Sequence, residues 1–312
     1  RQSRYDRARE RIQESLDVFR TLDVPKKIAY SLMTLGIIHS QRDQLDEAIP
    51  IFEESLTMMR ATGDQRAIGR ALNNLAVIHD MSGHLKQAIE IHHESLELRR
   101  RINDRLGIVY SLANLGAAHN VLGDYDLALA QLEEAYQRSL PLGERQTTAA
   151  ILSTLGDVYH KLKNYNEAER YQHEALTMRR HLNDQRGMSH CLIELALLAC
   201  DQHNSQKART PFEELVRIVQ GDSVMYEIWA RSVLKVAAHI AEEEGDAVRA
   251  ITLFSALMTH NSSPDAAVIS RLQDRLSALS ARVDDAAAVR ARESGARLSL
   301  ADAFALATQG IG

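Results

Sequence analysis

The sequence predicts an all-α protein, an α-solenoid of antiparallel helix pairs, because two columns of small residues recur at one fixed step. The first column repeats every 40 residues, at Gly36, Ala76, Gly116, Gly156 and Ala196. A column of alanines keeps the same step, at Ala48, Ala88, Ala128, Ala168 and Ala208. The composition is also rich in the helix-favouring residues Ala, Leu, Arg, Glu and Gln. Five copies in register indicate an internal repeat, and repeats of this length are typical of solenoids.

Each repeat divides into two helices, which we call helix A and helix B. In the repeat that begins at Asp64, apolar residues at helical spacing predict helix A to about Met81, where Gly83-His84 ends it. Helix B then begins near Leu85 and ends in Arg99-Arg100-Arg101, whose cations suit the negative end of a helix dipole. The short turn makes the two helices antiparallel neighbours. The small residue in the middle of helix A then lets helix B cross closely.

A second turn signal separates one repeat from the next. A Gly or Asn that tolerates the left-handed conformation precedes an acid that can cap the next helix A. The pairs are Gly63-Asp64, Asn103-Asp104, Gly143-Glu144 and Asn183-Asp184.

The predicted solenoid covers residues 1–258. It comprises a partial first unit at 1–22, full units at about 24–62, 64–102, 104–142, 144–182 and 184–220, and a degenerate unit at 222–258. The partial unit matches helix B only, since Ala8 lies 40 residues before Ala48, and we therefore expect the chain to be a fragment of a longer protein.

Residues 259–312 predict a helical capping segment, because a solenoid must cover its last apolar face. We expect a loop over Asn261–Pro264 and helices at about 265–281 and 285–294. Gly295 is predicted to end the second of these helices, and Ser299 to cap a last one.

Composition excludes several functional classes. A net charge of −5 and a pI near 6.2 give no electrostatic basis for bulk nucleic-acid binding. The absence of an apolar run of membrane-spanning length and of a signal-peptide pattern predicts no membrane association and a cytoplasmic location. Cys191 and Cys200 lie too far apart along one helix for a disulfide, so we interpret them as buried inert thiols of a reducing compartment.

The repeat positions resemble the tetratricopeptide repeat family over roughly residues 1–258. The first full unit reads Leu32, Leu35-Gly36, His39, Ala48 and Phe52, and the third repeats the pattern with Leu115-Gly116 at its centre. The departures are a 40-residue period in place of 34 and the absence of a proline at the end of each unit. The resemblance implies a right-handed superhelix whose A helices line the inner surface. Units of this length resemble those of kinesin light chains, Pins-type scaffolds and bacterial signalling ATPases of the STAND class.

The C-terminal segment favours one of these three kinds of protein. Residues 250–256, followed by an Arg/Leu/Ala helix and residues 295–307, are similar to the C-terminal end of bacterial multidomain regulators. This implies that the chain is the sensor region of such a regulator, with an NTPase or effector module as a possible intramolecular partner. A stand-alone Pins-type adaptor is the alternative, and a peptide-dependent phosphatase or quorum-sensing regulator is a third possibility.

Candidate partner-binding residues follow from the family's groove positions on helix A. They are Tyr30, Met33, Ile37, Arg70, Asn73, Val77, Asp80, Tyr110, Ala117, Asn120, Asp157 and His160. Apolar Ile37, Val77 and Ala117 stand where relatives that clamp a C-terminal carboxylate place asparagine, so we reject a carboxylate clamp. An apolar centre with polar flanks is typical of a groove for an extended or helical peptide.

The sequence points to binding and not to catalysis. The column His39, His79 and His119 is interpreted as packing, because side chains one repeat apart cannot share a metal ion. Walker A, dinucleotide-binding and nucleophile-elbow patterns are absent from the sequence. We therefore expect no enzyme activity, cofactor or metal in this chain, and a protein or peptide partner on the inner face.

Overall fold

The computed structural model describes residues 2–42, 44–260, 266–309 and 311. Within those ranges the chain forms sixteen α-helices and no strand, which confirms the predicted all-α class. The helices belong to two compact units, Arg1–Val158 and Tyr159–Gly312. Each described helix is either too short or too polar to span a lipid bilayer.

The first unit alternates B and A helices from its start. α1 lies where an isolated helix B was predicted, and the helices that follow it come in pairs. The bounds are α1 Gln2–Thr21, α2 Pro25–Ser40, α3 Leu45–Thr62, α4 Gln65–Met81, α5 Leu85–Arg101, α6 Arg105–Leu122, α7 Tyr125–Ser139 and α8 Arg145–Lys161, whose last three residues belong to the second unit. A single 3-10 turn, Leu140–Leu142, precedes α8.

The turns between repeats form as predicted. Gly63 and Asn103 adopt positive φ angles of 70° and 53°. The Asp64 carboxylate then accepts a hydrogen bond from the Ala67 amide at 3.1 Å, and Asp104 accepts one from the Gly107 amide at 3.1 Å. Each cap satisfies one amide that the first turn of an α-helix leaves unpaired. These turns fix where each helix A begins.

The recurrent small residue on helix A marks the helix crossing, as predicted. A Cβ atom added at Gly36 would lie 2.7 Å from the Phe52 ring of α3. One added at Gly116 would lie 2.5 Å from Leu132 Cγ of α7. Real Cβ atoms do not approach other carbons so closely, so the backbones of the paired helices could not meet here with a larger residue.

The arginines at the ends of the B helices pair with the next repeat. Arg20 contacts Glu54 at 2.8 Å, and Arg60 contacts Glu94 at 2.6 Å. Each pair spans 34 residues and lies on the solvent side of consecutive B helices. This cross-repeat pairing adds a second role to the dipole interaction predicted for these cations.

Arg99, like Arg179 of the second unit, is buried, whereas the arginines of those ion pairs are exposed. Its Nη1 donates to the Gly107 carbonyl at 2.6 Å and to Ser111 Oγ at 3.0 Å, and its Nη2 donates to the Gly69 carbonyl at 3.0 Å. The guanidinium thereby joins α4, α5 and α6, and burial lowers the pKa of Arg99. The sequence predicted only that a cation at this position suits the negative end of the helix dipole.

The second unit continues the pairs and then departs from them. Its helices are α9 Tyr165–His181, α10 Gln185–Asp201, α11 Ser205–Gly221, α12 Ser223–Glu243, α13 Ala247–Thr259, α14 Ala266–Ser280, α15 Asp285–Arg297 and α16 Leu300–Ala307. α12 and α13 form the degenerate pair, and their turn has Gly245 at a φ of 81°. α15 packs on α13, and α16 packs on α12. The role of residues 259–312 as a solenoid cap stays a prediction.

The structure corrects one detail of the C-terminal segment. Gly295 was expected to end a helix, but α15 continues to Arg297. A Cβ at Gly295 would overlap the Thr252 carbonyl oxygen and lie 2.8 Å from Ser255 Cβ. Gly295 is therefore a crossing residue between α13 and α15. Ser299 does cap α16, since its Oγ accepts from the Asp302 amide at 3.1 Å. The loop predicted over Asn261–Pro264 lies outside the described residues.

Candidate partner-binding face

The A helices of the first unit share one solvent-exposed face, which we call the A-helix face. It is formed by α2, α4, α6 and the part of α8 up to Val158. The predicted site residues of this unit are half-buried or exposed on these helices: Tyr30, Met33, Ile37, Arg70, Asn73, Val77, Asp80, Tyr110, Ala117, Asn120 and Asp157. The neighbouring residues of the repeat pattern, such as Leu72 and Ala76, are buried. The face thus consists of the positions that vary between repeats.

Apolar side chains occupy the middle of the A-helix face. Ile37 is 38% exposed and Tyr110 is 36% exposed, although both are large apolar residues. Val77 and Ala117, at the equivalent position of the next two repeats, are half-buried. Met33 is more enclosed and packs against the core around Phe52 and Leu72. Ile37 and Tyr110 therefore offer the most apolar area to a partner.

Polar contacts link consecutive repeats along the same face. Arg70 Nη2 donates to the Tyr30 hydroxyl at 2.7 Å, and its guanidinium carbon lies 5.8 Å from the centroid of that ring. Asn114 Nδ2 donates to Asn73 Oδ1 at 3.1 Å. The exposed phenol and guanidinium hold each other in place, so they present an ordered surface.

Two predicted polar residues at the edge of the face differ in their partners. Asp80 Oδ2 lies 3.0 Å from Nε2 of the fully buried His92 on α5, so this carboxylate is already held by its own repeat. Asn120 has a buried Oδ1 without a hydrogen-bond partner among the described residues. Asp80 Oδ1 is likewise buried without such a partner, so both residues keep acceptor capacity while Asp80 Oδ2 also positions a helix pair.

The histidine column is enclosed, as expected for packing residues. His79 and His119 are buried, and His39 is half-buried. His119 Nδ1 lies 2.8 Å from Gln131 Oε1 on α7. Burial, followed by the nearby His84, lowers the pKa of His79, which favours the neutral ring.

In the second unit, His160 lies between two carboxylates. Its Nε2 is 2.9 Å from Asp201 Oδ2 and its Nδ1 is 3.3 Å from Glu194 Oε2. Although burial disfavours the imidazolium, the hydrogen bonds to Asp201 and Glu194 raise the pKa of His160 to about 9. The side chain is thus a cation that joins α8 to α10, and both of its ring nitrogens are engaged.

A cavity of about 310 Å³ and a larger one of about 690 Å³ also lie in the second unit. The larger cavity, which we call the cationic cavity, is lined by six Lys and Arg side chains from α8, α12, α14 and the turn after α8. They are Lys161, Lys163, Arg231, Lys235, Arg271 and Arg275. The repeat pattern did not identify them, because four of the six lie beyond the regular repeats. A sequence signal that could have identified these cations is their spacing, since Arg231 and Lys235, and likewise Arg271 and Arg275, lie four residues apart.

The fold and the exposed face define a helical-repeat solenoid. The family model described as "Tetratricopeptide repeat" matches residues 1–61, 27–101, 67–140 and 147–220. Since these matches cover more than half of the sequence, the chain belongs to the tetratricopeptide repeat family. The search of curated proteins finds no significant relative.

Several solved structures share the fold at low sequence identity. A Rap protein complexed with competence and sporulation factor is 15% identical, with a TM-score of 0.64 over 91% of this chain and 76% of that one. The apo form of the quorum sensor NprR from B. thuringiensis is 15% identical, with a TM-score of 0.60 over 89% and 84%. BtubC (BKLC) from P. vanneervenii is 18% identical, with a TM-score of 0.61 over 69% and 90%. At this identity the likeness establishes the fold alone.

Proposed function

We propose that this chain is a non-catalytic scaffold that binds a protein or peptide partner on its A-helix face. The observation that carries the proposal is the exposure of Ile37 and Tyr110 on the face that varies between repeats. Solenoids use such extended surfaces to bind partners. The ordered Tyr30–Arg70 pair beside these residues offers hydrogen-bonding groups without a large ordering cost.

The apolar anchors suit a peptide that inserts side chains between consecutive A helices. Ile37, Val77 and Ala117 form a row in which side-chain size decreases along the unit. A partner segment laid along this row would bury progressively larger side chains toward Ala117. Burying an exposed Ile or Tyr contributes roughly 1–3 kcal/mol, so two or three such anchors supply only part of the ~8 kcal/mol of a micromolar complex, and polar contacts must supply the rest.

Display selection on the whole chain tests the proposal. Random twelve-residue peptides on phage are selected against the immobilised protein, and each selected peptide is synthesised and titrated by fluorescence polarisation. Ile37→Glu and Tyr110→Ala should each weaken binding by about tenfold or more while the helical circular dichroism is unchanged. Leu127→Glu is the matched control, because Leu127 is 52% exposed on the B helix α7. Peptides that bind all four proteins equally would place recognition elsewhere.

We further propose that the chain is the sensor or regulatory region of a larger bacterial signalling regulator, with an NTPase or effector module as its partner within the full-length protein. The likeness to a quorum sensor and to a Rap protein bound to a signalling factor supports a regulatory role. The coding sequence upstream of Arg1 provides the test. An effector or NTPase module there would support the proposal, and its absence would favour the alternative, a Pins-type adaptor scaffold.

Catalysis is the competing class, because an aspartyl phosphate phosphatase from Bacillus subtilis also shares the fold. Polar contacts of the A-helix face join repeats or paired helices, as Arg70 does with Tyr30. Asp80, its best-defined carboxylate, is held by His92 from within its own repeat. Dephosphorylation of an aspartyl-phosphate response regulator by the purified chain, lost in a matched active-site variant, would overturn the non-catalytic assignment.

A further inference from the structure

We propose that the cationic cavity of the second unit binds an acidic segment of a peptide partner, with carboxylates at alternate positions and an apolar side chain between them. The inference rests on the proposed function and adds a second subsite with its own chemistry. Of the residues predicted for the family's groove, His160 lines this cavity, and α12 and α14 form much of the rest of its wall.

The charged residues that line the cationic cavity are predominantly basic. The carboxylates of Glu194 and Asp201 are the only acids among the described residues that line the cavity, and both are hydrogen-bonded to His160. Since the His160 pKa is raised to about 9, that ring is itself a cation at neutral pH. Six lysines and arginines therefore face one cavity, against two carboxylates among its described lining residues. In a chain with a net charge of −5, this is a marked local reversal of sign.

Two of the cations that line the cavity have unused hydrogen-bonding capacity. Arg275 contacts Glu242 Oε2 at 2.6 Å, and its guanidinium carbon lies 5.4 Å from the Phe254 ring centroid. By contrast, Arg231 and Lys235 form no hydrogen bond or ion pair with any other described residue. Burial lowers the pKa of Lys235, and the electrostatic attraction of Glu194 and Asp201 opposes that shift. An anion from outside would supply the partner that these two side chains lack.

Spacing defines the ligand further. Arg231 and Lys235 lie one turn apart on α12, and Arg271 and Arg275 lie one turn apart on α14, so each pair has its Cβ atoms roughly 5–6 Å apart. Alternate side chains of an extended peptide are roughly 6.5–7 Å apart on one face. Acidic residues at alternate positions of an extended segment therefore match either row of cations.

The apolar part of the wall distinguishes a peptide from a simple anion. Leu197, Phe254 and Leu257 line the same cavity as the cations. A phosphate ion would leave this surface wet, whereas a leucine between two acidic residues would cover it. The volume of about 690 Å³ is in the range of pockets for small ligands, so it accommodates a short segment and not a nucleic-acid helix.

Fluorescence polarisation on the whole chain tests the proposal with two labelled peptides. One has the sequence Asp-Leu-Asp-Leu-Asp, and its neutral control is Asn-Leu-Asn-Leu-Asn. We expect the acidic peptide to bind at least about tenfold more tightly, the ratio expected for one charged hydrogen bond. Its affinity should also fall when the salt concentration rises from about 0.05 M to about 0.5 M. Equal affinity for the two peptides would refute the inference without any variant.

Matched variants locate the site. The double variant Arg231→Gln and Lys235→Gln should lower affinity for the acidic peptide by about tenfold or more. The control, Arg186→Gln with Arg217→Gln, makes the same change in net charge at exposed arginines of α10 and α11 that do not line the cavity. An equal loss in both double variants would show that total charge, and not this cavity, attracts the peptide.

Competition identifies the occupant. Inorganic phosphate at constant ionic strength should not displace the acidic peptide, and saturating displacement would assign the cavity to a small anion and overturn the peptide proposal. Failure here is distinct from failure of the proposed function. A chain that binds the display-selected peptides through Ile37 and Tyr110 but shows no preference for the acidic peptide refutes the cationic cavity alone.

Discussion

Replacing Gly295 with alanine should destabilise the C-terminal helices, whereas the same change at Gly221 should not. Gly295 lies inside α15, and a Cβ there would overlap the Thr252 carbonyl oxygen of α13. Gly221 is the last residue of α11, and a Cβ there would meet no atom within 4 Å. Neither glycine has a positive φ angle, so backbone strain does not distinguish the two.

The magnitude follows from opposing effects. Alanine is favoured over glycine in a helix by about 1 kcal/mol, and the gain is smaller at a helix end. At Gly295 the new Cβ would also lie 2.8 Å from Ser255 Cβ, where normal carbon contacts are about 3.5–4.0 Å. α15 would have to move away from α13 by roughly 0.7 Å or more, and overpacking of this kind costs about 1–3 kcal/mol. Because a backbone oxygen cannot rotate aside, we expect a net loss of ~1–2 kcal/mol for Gly295→Ala and a gain of up to ~0.5 kcal/mol for Gly221→Ala.

Urea unfolding followed by circular dichroism compares the two variants with the original chain. Because a solenoid can unfold segment by segment, amide hydrogen exchange of α13 and α15 provides the local measurement. Exchange in these helices should accelerate in Gly295→Ala and stay unchanged in Gly221→Ala. Unchanged protection of α13 and α15 in Gly295→Ala would refute the assignment of this glycine as a crossing residue.

Three further predictions follow from buried polar groups. Arg99→Met should lower the free energy of unfolding by about 2–4 kcal/mol, because it removes charged hydrogen bonds that join three helices. In the same urea titration the control Arg100→Met, which breaks an exposed ion pair, should lower it by less than ~1 kcal/mol. Folding raises the pKa of His160 from 6.5 to about 9, so the stabilisation by its charged form is complete below about pH 6.5 and is lost as the pH rises through about 9. The decline in the free energy of unfolding should be on the order of 2–3 kcal/mol, and His160→Gln should remove it from the measured pH profile. Burial, with nearby acids, raises the pKa of Cys200 to about 12, so neither it nor the buried Cys191 should react with a thiol reagent until denaturant is added, and fast labelling of the folded chain would contradict this.

The repeat made most of the fold predictable. Gly36 could be recognised as a crossing residue because its position recurs with the same step in four later units. Gly295 occurs once, and a single glycine near the end of a helical pattern gives the same local signal as a helix terminator. Only the position of Thr252, more than 40 residues earlier in the chain, distinguishes the two roles. Sequence periodicity therefore predicts contacts that recur from repeat to repeat, but it does not predict a contact that occurs only once.

The candidate site was predictable to a smaller extent. The register of helix A placed Ile37 and Tyr110 on an exposed face, which follows from helical geometry alone. The partner of Asp80 did not follow, since His92 lies on the paired helix α5 and the repeat pattern does not specify this contact. The cationic cavity did not follow either, because it requires α14 to pack beside α12, and no periodic signal specifies that contact.

Helix A separates the residues that specify packing from those that specify recognition. On α4, Leu72 and Ala76 are buried at the helix crossing, whereas Asn73 and Val77, one residue further along, are half-exposed. A change at Leu72 would leave a cavity and cost roughly 2–5 kcal/mol, but a surface change at Asn73 usually costs less than ~0.5 kcal/mol. The A-helix face can therefore change its chemistry from repeat to repeat while the 40-residue step is kept. For the same reason the regular positions identify the family, and the partner must be sought in the irregular ones.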